Sequence, residues 1–299
     1  MSILVNQHTL VLIQGITGSE GSRAARDMLA YGTSVLAGVT PGKGGRRTPD
    51  NIPVFDTVAQ ALKEHPNINT SFIAVPASFV KDAALEAIRA GIALINILTE
   101  HVPVHDSAEI IAFARLRDCR VVGPSSIGII SPGKGKLGSI GSGDIAARVF
   151  KPGPVGIISK SGGMTAEISR ILTESGFGQS TAVGIGGDVL AGSDFLDLAK
   201  LFQDDRQTKV IVIFGEVGGT YENKLADAIA AGEITKPVIA LIAGDFGKRL
   251  PAGTILGHAG AIVSGDRGSA ATKIRALKKA QARIAKTPEG IPGLVKQSL

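Results

Sequence analysis

Apolar residues recur along this chain in two alternating patterns. Short runs rich in Val and Ile, such as residues 9–13 and 34–39, are separated by Ala-rich stretches with apolar positions every three or four residues, such as residues 23–31. The first pattern predicts buried strands and the second predicts amphipathic helices. Their alternation is typical of βαβ units, so we expect an α/β fold with parallel sheets.

The alternation falls into two halves. In the first half, the remaining predicted strands are 71–75, 93–98 and 120–122, and the remaining helices are 58–64, 80–90 and 106–118. In the second half, strands are predicted at 155–158, 181–184, 210–214 and 238–242, and helices at 165–175, 195–203 and 221–231. Residues 131–153 are polar and rich in Gly and Pro, which is typical of a linker. We therefore predict a Rossmann-like domain over residues 1–130, a linker over 131–153 and a flavodoxin-like domain over 154–299.

Composition and charge narrow the class of protein. The 299 residues include 39 glycines and no tryptophan, and the net charge is +6. The basic residues are scattered, without aromatic residues between them, so we expect a small polyanionic ligand and no nucleic acid. The single cysteine, Cys119, excludes an internal disulfide and a Cys-based metal cluster. The N-terminal residues lack the pattern of a signal peptide, and no apolar run is long enough to cross a bilayer. We therefore expect a cytoplasmic protein that does not bind a membrane.

The first candidate site is the glycine-rich segment 15–21, Gly-Ile-Thr-Gly-Ser-Glu-Gly, between the first predicted strand and helix. Such a turn directs backbone N–H groups and a helix N-terminus towards a phosphate, although a plain tight turn has the same composition. Its spacing departs from the dinucleotide pattern GxGxxG. The second strand is followed by Thr40 and Pro41, where an NAD site has an acidic residue. An NAD dehydrogenase is therefore disfavoured.

Two lysines in glycine-rich loops are candidates for binding phosphate groups, and the sequence supports them differently. Lys43 lies between glycines and either is a solvated loop residue or reaches an additional phosphate, such as the 3′-phosphate of coenzyme A. Lys134 ends a segment with the spacing of a phosphate-binding P-loop, but Gly135 follows where that motif requires Ser or Thr. The chain is therefore not expected to hold its own nucleoside triphosphate.

The second half contains three segments with candidate chemistry. Ser161, Gly162 and Gly163 join a predicted strand to a predicted helix, where they either cap the helix or leave its N-terminus open to an anion. Glu216 lies at the end of another predicted strand. His258, between Gly257 and small residues, is either a capping histidine or a neutral, nucleophilic imidazole open to a phosphoryl group, and Glu216 could orient its ring.

Five motifs in this order resemble those of the α subunit of succinate–CoA ligase. They are TGSEG at 17–21, VTPGKGG at 39–45, VGIGGD at 183–188, GEVGG at 215–219 and GHAGA at 257–261. The resemblance covers nearly the whole chain. It implies a Rossmann-like CoA-binding domain followed by a flavodoxin-like ligase domain, and an acid–thiol ligase that forms a nucleoside diphosphate.

The resemblance also implies the roles of individual residues. His258 would be the phosphohistidine, Glu216 would support it, and Ser161 to Gly163 would stabilise the phosphate at a helix N-terminus. The implied coenzyme A site consists of Thr17, Gly18, Ser19, Glu20, Lys43, Ile97, Leu98, Thr99 and Glu100. An ATP-grasp β subunit would hold ATP or GTP with Mg²⁺ in an αβ or (αβ)₂ assembly. No metal site is expected in this chain.

Departures from the family pattern leave the acid substrate open. Succinate–CoA ligases usually read GPNCPG where this chain has GPSSIG at 123–128, and SGTLTYE where it has SGGMTAE at 161–167. Ala166 thus replaces a tyrosine near the substrate, which would enlarge the carboxylate pocket. These changes are similar to the citrate-using relatives, ATP-citrate lyase and citryl-CoA synthetase. Succinate is the first expectation, with citrate and malate as alternatives and a non-catalytic CoA-binding regulatory protein as an alternative of another class.

Overall fold

Both predicted sheets are present in the computed structural model, which describes residues 2–244, 260 and 268–299. The first sheet is entirely parallel, with strand order β3-β2-β1-β4-β5-β6. Its strands are β1 (Leu10–Gln14), β2 (Ser34–Val39), β3 (Val54–Phe55), β4 (Thr70–Ile73), β5 (Leu94–Ile97) and β6 (Arg120–Val122). The helices between them are α1 (Ser19–Ala30), α2 (Val58–Glu64), α3 (Val80–Arg89) and α4 (Val104–Leu116). This strand order is that of the Rossmann fold, as predicted.

The second sheet is mixed, with strand order β13-β12-β11-β9-β10-β7-β8. Its strands are β7 (Gly128–Ser131), β8 (Gly135–Gly138), β9 (Pro152–Ser159), β10 (Gln179–Gly184), β11 (Val210–Gly215), β12 (Val238–Ile242) and β13 (Arg283–Ile284). The helices are α5 (Ile145–Val149), α6 (Gly162–Glu174), α7 (Phe195–Asp204), α8 (Tyr221–Ala230), α9 (Ala270–Lys279) and α10 (Ile291–Lys296). The parallel part, β10-β9-β11-β12-β13, has the flavodoxin-like order 2-1-3-4-5, so the predicted fold class is confirmed.

The segment expected to be a linker contributes a strand to the second sheet. Strands β7 and β8 form an antiparallel hairpin, and β7 pairs with β10. A Cβ atom at Gly128 would lie 1.9 Å from the carbonyl oxygen of Leu137, so the close approach of the two strands requires a glycine there. The domain limits drawn from the sequence stay a prediction, and the hairpin belongs to the second sheet.

Burial in the hydrophobic core explains why the runs of apolar residues form the central strands. All six residues of β11 are buried, as are all five of β12, because helices cover both faces of the parallel sheet. One core cluster runs across both domains and includes Ile13, Phe72, Leu137 and Ile185. The β7–β8 hairpin therefore packs on the first domain as well as on the second sheet.

The helices are short and several have side-chain caps. Asp194 caps α7 by accepting hydrogen bonds from the N–H groups of Leu196 and Asp197, and the Asp197 carboxylate accepts one from Asp194 N in return. The longest helices of the described part, α4 and α6, have 13 residues. No helix among the described residues is long and apolar enough to cross a membrane.

Cys119 is a core residue. It is 8% exposed, and burial raises the pKa of its thiol to about 11. A thiol with that pKa remains protonated at neutral pH and is a poor nucleophile. The structure thus gives Cys119 a packing role.

Replacing Gly21 with alanine is expected to destabilise the fold, although alanine normally stabilises a helix interior. A Cβ atom at this position in α1 would lie 2.3 Å from the carbonyl oxygen of Gly15, so the helix must shift, at a cost of about 1–3 kcal/mol. Gly293→Ala in α10 is the matched control, because its added Cβ meets nothing within 4 Å. Urea unfolding of both variants tests this, and an equal or higher stability for Gly21→Ala would contradict it.

Candidate functional site

The turn between β1 and α1 is shaped by a close backbone approach. Gly15 has φ +84°, and a Cβ atom there would lie 2.4 Å from the carbonyl oxygen of Ala74. Gly18 is the N-cap of α1 and supplies no side-chain cap, so the helix N-terminus is not blocked by a side chain. Ser19 and Glu20 begin the helix, and Glu20 forms an exposed ion pair with Arg23. The turn presents the positive end of a helix dipole to the space beside it.

A cavity of about 790 Å³ opens beside this turn. The Lys43 ammonium donates a hydrogen bond to Thr17 Oγ1 at 3.2 Å, and Thr17 Oγ1 donates to Thr40 Oγ1 at 3.2 Å. The structure therefore brings together the turn and the lysine loop, two segments predicted to share a ligand. The lining residues are Gln14, Gly15, Thr17, Gly18, Val39, Thr40, Pro41, Ala74, Val75, Pro76, Phe79, Asp82, Ala83, Glu86 and Arg89.

The segment from Ile97 to Glu100 begins at the last residue of β5, at the same edge of the first sheet. Thr99 Oγ1 donates to the carbonyl oxygen of Val75 at 2.6 Å, and the carbonyl oxygen of Thr99 accepts from Ser125 N at 2.9 Å. The hydroxyl of Ser125 also lies 3.4 Å from Glu100 Oε1. These bonds fix the segment between the cavity wall and the turn after β6. Leu98 is half-buried and packs against the core cluster shared by both domains.

The turn after β10 connects the two domains. Asp188 Oδ1 accepts a hydrogen bond from His101 N at 3.4 Å, and the carbonyl oxygen of Gly187 accepts one from Gly260 N at 2.9 Å. Burial raises the pKa of the Asp188 carboxyl, while the backbone N–H groups of His101 and Val102 oppose this shift. Gly260 belongs to the motif that contains His258. His258 itself lies outside the described residues.

The predicted phosphate site lies at the start of α6. Ser161 is the N-cap, and its hydroxyl accepts from Met164 N at 3.4 Å. A Cβ atom on Gly162 would press on Ile127, whereas one on Gly163 would meet nothing within 4 Å. The first turn of α6 is therefore open at Gly163. Ala166 is half-buried on the same helix.

Glu216 follows β11 and belongs to a buried cluster of charged residues. Its N–H donates to Glu222 Oε1 at 3.2 Å, and its carbonyl oxygen accepts from Lys273 Nζ at 2.6 Å. Lys273 Nζ lies 2.5 Å from Glu222 Oε2, and Lys160 Nζ lies 4.0 Å from Glu216 Oε1. Burial lowers the pKa of the Lys273 ammonium, and the nearby Glu222 carboxylate offsets only part of this shift. The cluster holds the Glu216 loop firmly at the carboxyl edge of the sheet.

One group of residues with side chains that could bind a metal ion occurs on α4. His105, Asp106 and Glu109 place one potential ligand atom each within 4.8 Å of one another. The Lys81 ammonium lies 3.0 Å from Asp106 and 3.3 Å from Glu109, and these carboxylates raise the pKa of Lys81. A lysine already provides the positive charge in this group.

Two family matches cover the two domains. Residues 6–101 match the CoA binding domain family, and residues 158–283 match the CoA-ligase family. Subunit α 2 of the ADP-forming succinate–CoA ligase of Archaeoglobus fulgidus is 45% identical over 299 residues, which is 100% of both chains. The chain belongs to the family of succinate–CoA ligase α subunits. It is therefore a subunit of an acid–thiol ligase with a CoA-binding domain, as the five motifs predicted.

Other relatives show how far the family extends. A subunit of an ADP-forming sulfoacetate–CoA ligase from Acholeplasma is 40% identical over 297 residues, covering 99% of this chain and 98% of that one. A variant of Methanosaeta concilii ATP citrate lyase, solved in complex with (3S)-citryl-CoA, is 27% identical with a TM-score of 0.90. That match covers 99% of this chain and 50% of the lyase chain, so this chain spans half the length of the lyase.

Sequence reasoning missed three members of the charged cluster of this ligase-family chain. Lys160, Glu222 and Lys273 are 6%, 0% and 0% exposed, and none of them was a candidate. Lys160 directly precedes Ser161, so its position beside the phosphate motif was a signal. Lys273 lies on the buried face of α9 with Ala270 and Leu277, where helical spacing predicts an apolar residue.

Replacing Lys273 with methionine is expected to destabilise the protein by about 3–5 kcal/mol, because Glu222 is left buried with its closest partner removed. Lys200→Met is the matched control, since Lys200 forms an exposed pair with Glu233 at 2.8 Å, and its loss should not change stability measurably. Urea unfolding compares the two variants. Equal effects would show that the buried pair does not contribute as the geometry indicates.

Proposed function

We propose that this chain is the α subunit of a nucleoside-diphosphate-forming succinate–CoA ligase in which His258 carries the phosphoryl group. The observation that carries this proposal is the convergence of two loops at the turn after β10. His101, next to the candidate coenzyme segment, donates to Asp188, and Gly260, two residues after His258, donates to Gly187. This contact supports a site in which the thiol of coenzyme A and the phosphohistidine work on the same acid.

The proposed reaction has three bond exchanges. A ring nitrogen of His258 attacks the γ-phosphorus of ATP or GTP, and the bond to the leaving diphosphate breaks. An oxygen of the acid then takes the phosphoryl group from His258 and forms an acyl phosphate. The sulfur of coenzyme A attacks the acyl carbon and displaces phosphate, and the thiol proton is released. This covalent relay divides one difficult step into easier ones.

The second domain would stabilise the charge that moves through these steps. The N-terminus of α6 at Ser161, Gly162 and Gly163 offers backbone N–H groups to the phosphoryl oxygens, and the open space at Gly163 leaves room for them. Glu216 would accept a hydrogen bond from the His258 ring and hold its orientation. Ala166, half-buried on α6, would leave space for the acid.

The nucleotide belongs to a partner in this proposal. An ATP-grasp β subunit would bind ATP or GTP with Mg²⁺, in an αβ or (αβ)₂ assembly. The family to which the chain belongs is a family of α subunits, which supports a partner of this kind.

The acid is proposed to be succinate because succinate–CoA ligase α subunits match the chain over its full length. Citrate is the second candidate, favoured by Ala166, by the Ser-Gly-Gly-Met sequence at 161–164 and by the likeness to ATP citrate lyase. A competition assay tests this choice. The complex with the β subunit is given ATP, Mg²⁺, coenzyme A and equimolar succinate, citrate, malate and sulfoacetate, and the thioesters formed are identified by mass. Predominant succinyl-CoA supports the proposal, and predominance of any other thioester contradicts the choice of acid.

Lys43→Met is expected to weaken coenzyme A binding about tenfold and to leave 3′-dephospho-CoA binding unchanged, because the proposed contact is to the 3′-phosphate. Lys43 approaches Thr17 beside the cavity, so it is placed to reach a ligand there. Arg46→Met removes the same charge from the same loop and is the control. Calorimetric titration of the wild type and both variants measures the six affinities, and equal weakening for both ligands in Lys43→Met would exclude the 3′-phosphate contact.

His258→Asn is expected to abolish both acid-labile phosphate on this subunit and thioester formation, while coenzyme A still binds. His105→Asn, on the exposed surface of α4, is the control and should keep full activity. Labelling with [γ-³²P]ATP in the presence of the β subunit measures the phosphate. A wild-type chain that binds coenzyme A but takes no label would instead indicate the non-catalytic CoA-binding protein.

A further inference from the structure

The charged cluster beneath the Glu216 loop contains two lysines with different environments. Lys273 donates hydrogen bonds to the carbonyl oxygens of Glu216 and Gly218, and its ammonium forms a close ion pair with Glu222 Oε2. It also holds α9 against this loop. Lys273 and Glu222 therefore form a buried pair that fixes the main chain of Glu216, through its carbonyl oxygen and its N–H group.

Lys160 is buried but not saturated. Its Nζ lies 3.9 Å from Glu222 Oε1 and 4.0 Å from Glu216 Oε1, both beyond hydrogen-bond distance. The ring centre of Tyr221 is 5.3 Å away. Within residues 2–244 and 268–299 the structure gives this ammonium no hydrogen bond, although its side chain is only 5% exposed. Lys160 thus acts on the two carboxylates through charge.

Within the described residues the cluster contains two acidic side chains and two lysines. Glu222 forms its closest ion pair with Lys273. Lys160 supplies the other positive charge, on the side that faces the Glu216 carboxylate. It also directly precedes Ser161, the N-cap of α6. The main chain of Lys160 therefore leads directly into the start of the proposed phosphate site, while its ammonium lies 4.0 Å from Glu216 Oε1.

We propose that Lys160 is a positioning residue for Glu216, and that it offsets the Glu216 charge when His258 carries a phosphoryl group. This inference rests on the proposed function. A phosphoryl group adds up to two negative charges, which would repel a nearby carboxylate strongly in a buried site. With Lys160 beside it, Glu216 holds the ring without opposing the phosphate. Lys273 does not replace Lys160 in this role, because its donors are engaged.

The proposal predicts an effect on an equilibrium. If Lys160 offsets charge in the phosphorylated state, its loss lowers the ratio of phosphorylated to free enzyme at a fixed ATP to ADP ratio. A residue that only supports the fold of the loop would slow phosphorylation and its reversal together and leave that ratio unchanged. Coenzyme A binding in the first domain should not change in either case.

The test is a double-mutant cycle of Lys160→Met and Glu216→Gln in the complex with the β subunit. We expect Lys160→Met to lower the equilibrium fraction of acid-labile phosphate about tenfold when Glu216 is present, and less than twofold in the Glu216→Gln background. Additive effects in the cycle, or unchanged phosphorylation of Lys160→Met, would overturn the proposal. If Lys160→Met does not fold, Lys160→Gln takes its place in the cycle.

Lys224→Met is the matched control. Lys224 lies 5.5 Å from the same Tyr221 ring, but it is half-exposed and pairs with Asp194 at 3.4 Å. Its replacement should leave the equilibrium phosphorylation unchanged, and a tenfold loss there would overturn a specific role for Lys160. If the wild-type complex itself carries no phosphate on His258, the proposed function fails and this role of Lys160 fails with it. If the wild-type complex carries phosphate on His258 but the effects of the two substitutions are additive, only the role of Lys160 is refuted.

Discussion

The arrangement of the candidate site depends on a close backbone contact between the two domains. Gly186 has φ +92°, and a Cβ atom there would lie 2.0 Å from the carbonyl oxygen of Pro124. Any side chain at this position would push the turn after β10 away from the first domain. The hydrogen bonds from His101 to Asp188 and from Gly260 to Gly187 form at this same turn. Gly186 of the VGIGGD motif is thus a geometric requirement of this contact.

The strands and helices that follow a clear period could be predicted from the sequence. Strand β2 and helix α2 have the predicted bounds, and most other elements agree within a few residues. The β7–β8 hairpin was missed because its glycines have the composition of a linker. Gly128 approaches the carbonyl oxygen of Leu137 and Gly135 approaches Asn6, so both serve close packing of the backbone. Composition does not distinguish a flexible glycine from one that allows two chains to touch.

In the candidate site, too, some residues could be predicted from the sequence and others could not. Segments such as TGSEG and SGGM could be proposed as phosphate sites from the sequence, because a phosphate-binding turn needs consecutive residues and its chemistry is local. The charged cluster joins residues that are far apart in sequence, with Glu216 and Lys273 separated by 57 positions. A lysine on a helix is usually solvated, and only its place on the apolar face of α9 distinguishes Lys273. Contacts of this kind depend on the packing of the whole domain.

The two domains differ in how they present charge, and the difference suits the two kinds of ligand proposed for them. Lys43 and Glu20 are exposed and screened by water, which favours a ligand that enters and leaves in every cycle. Lys160 and Glu216 are buried, where a charge interacts more strongly and must be balanced. A covalently held phosphoryl group stays through several steps, and fixed buried charges can stabilise it without reorganising. These charge environments suit the intermediate proposed for the second domain and the dissociable coenzyme proposed for the first.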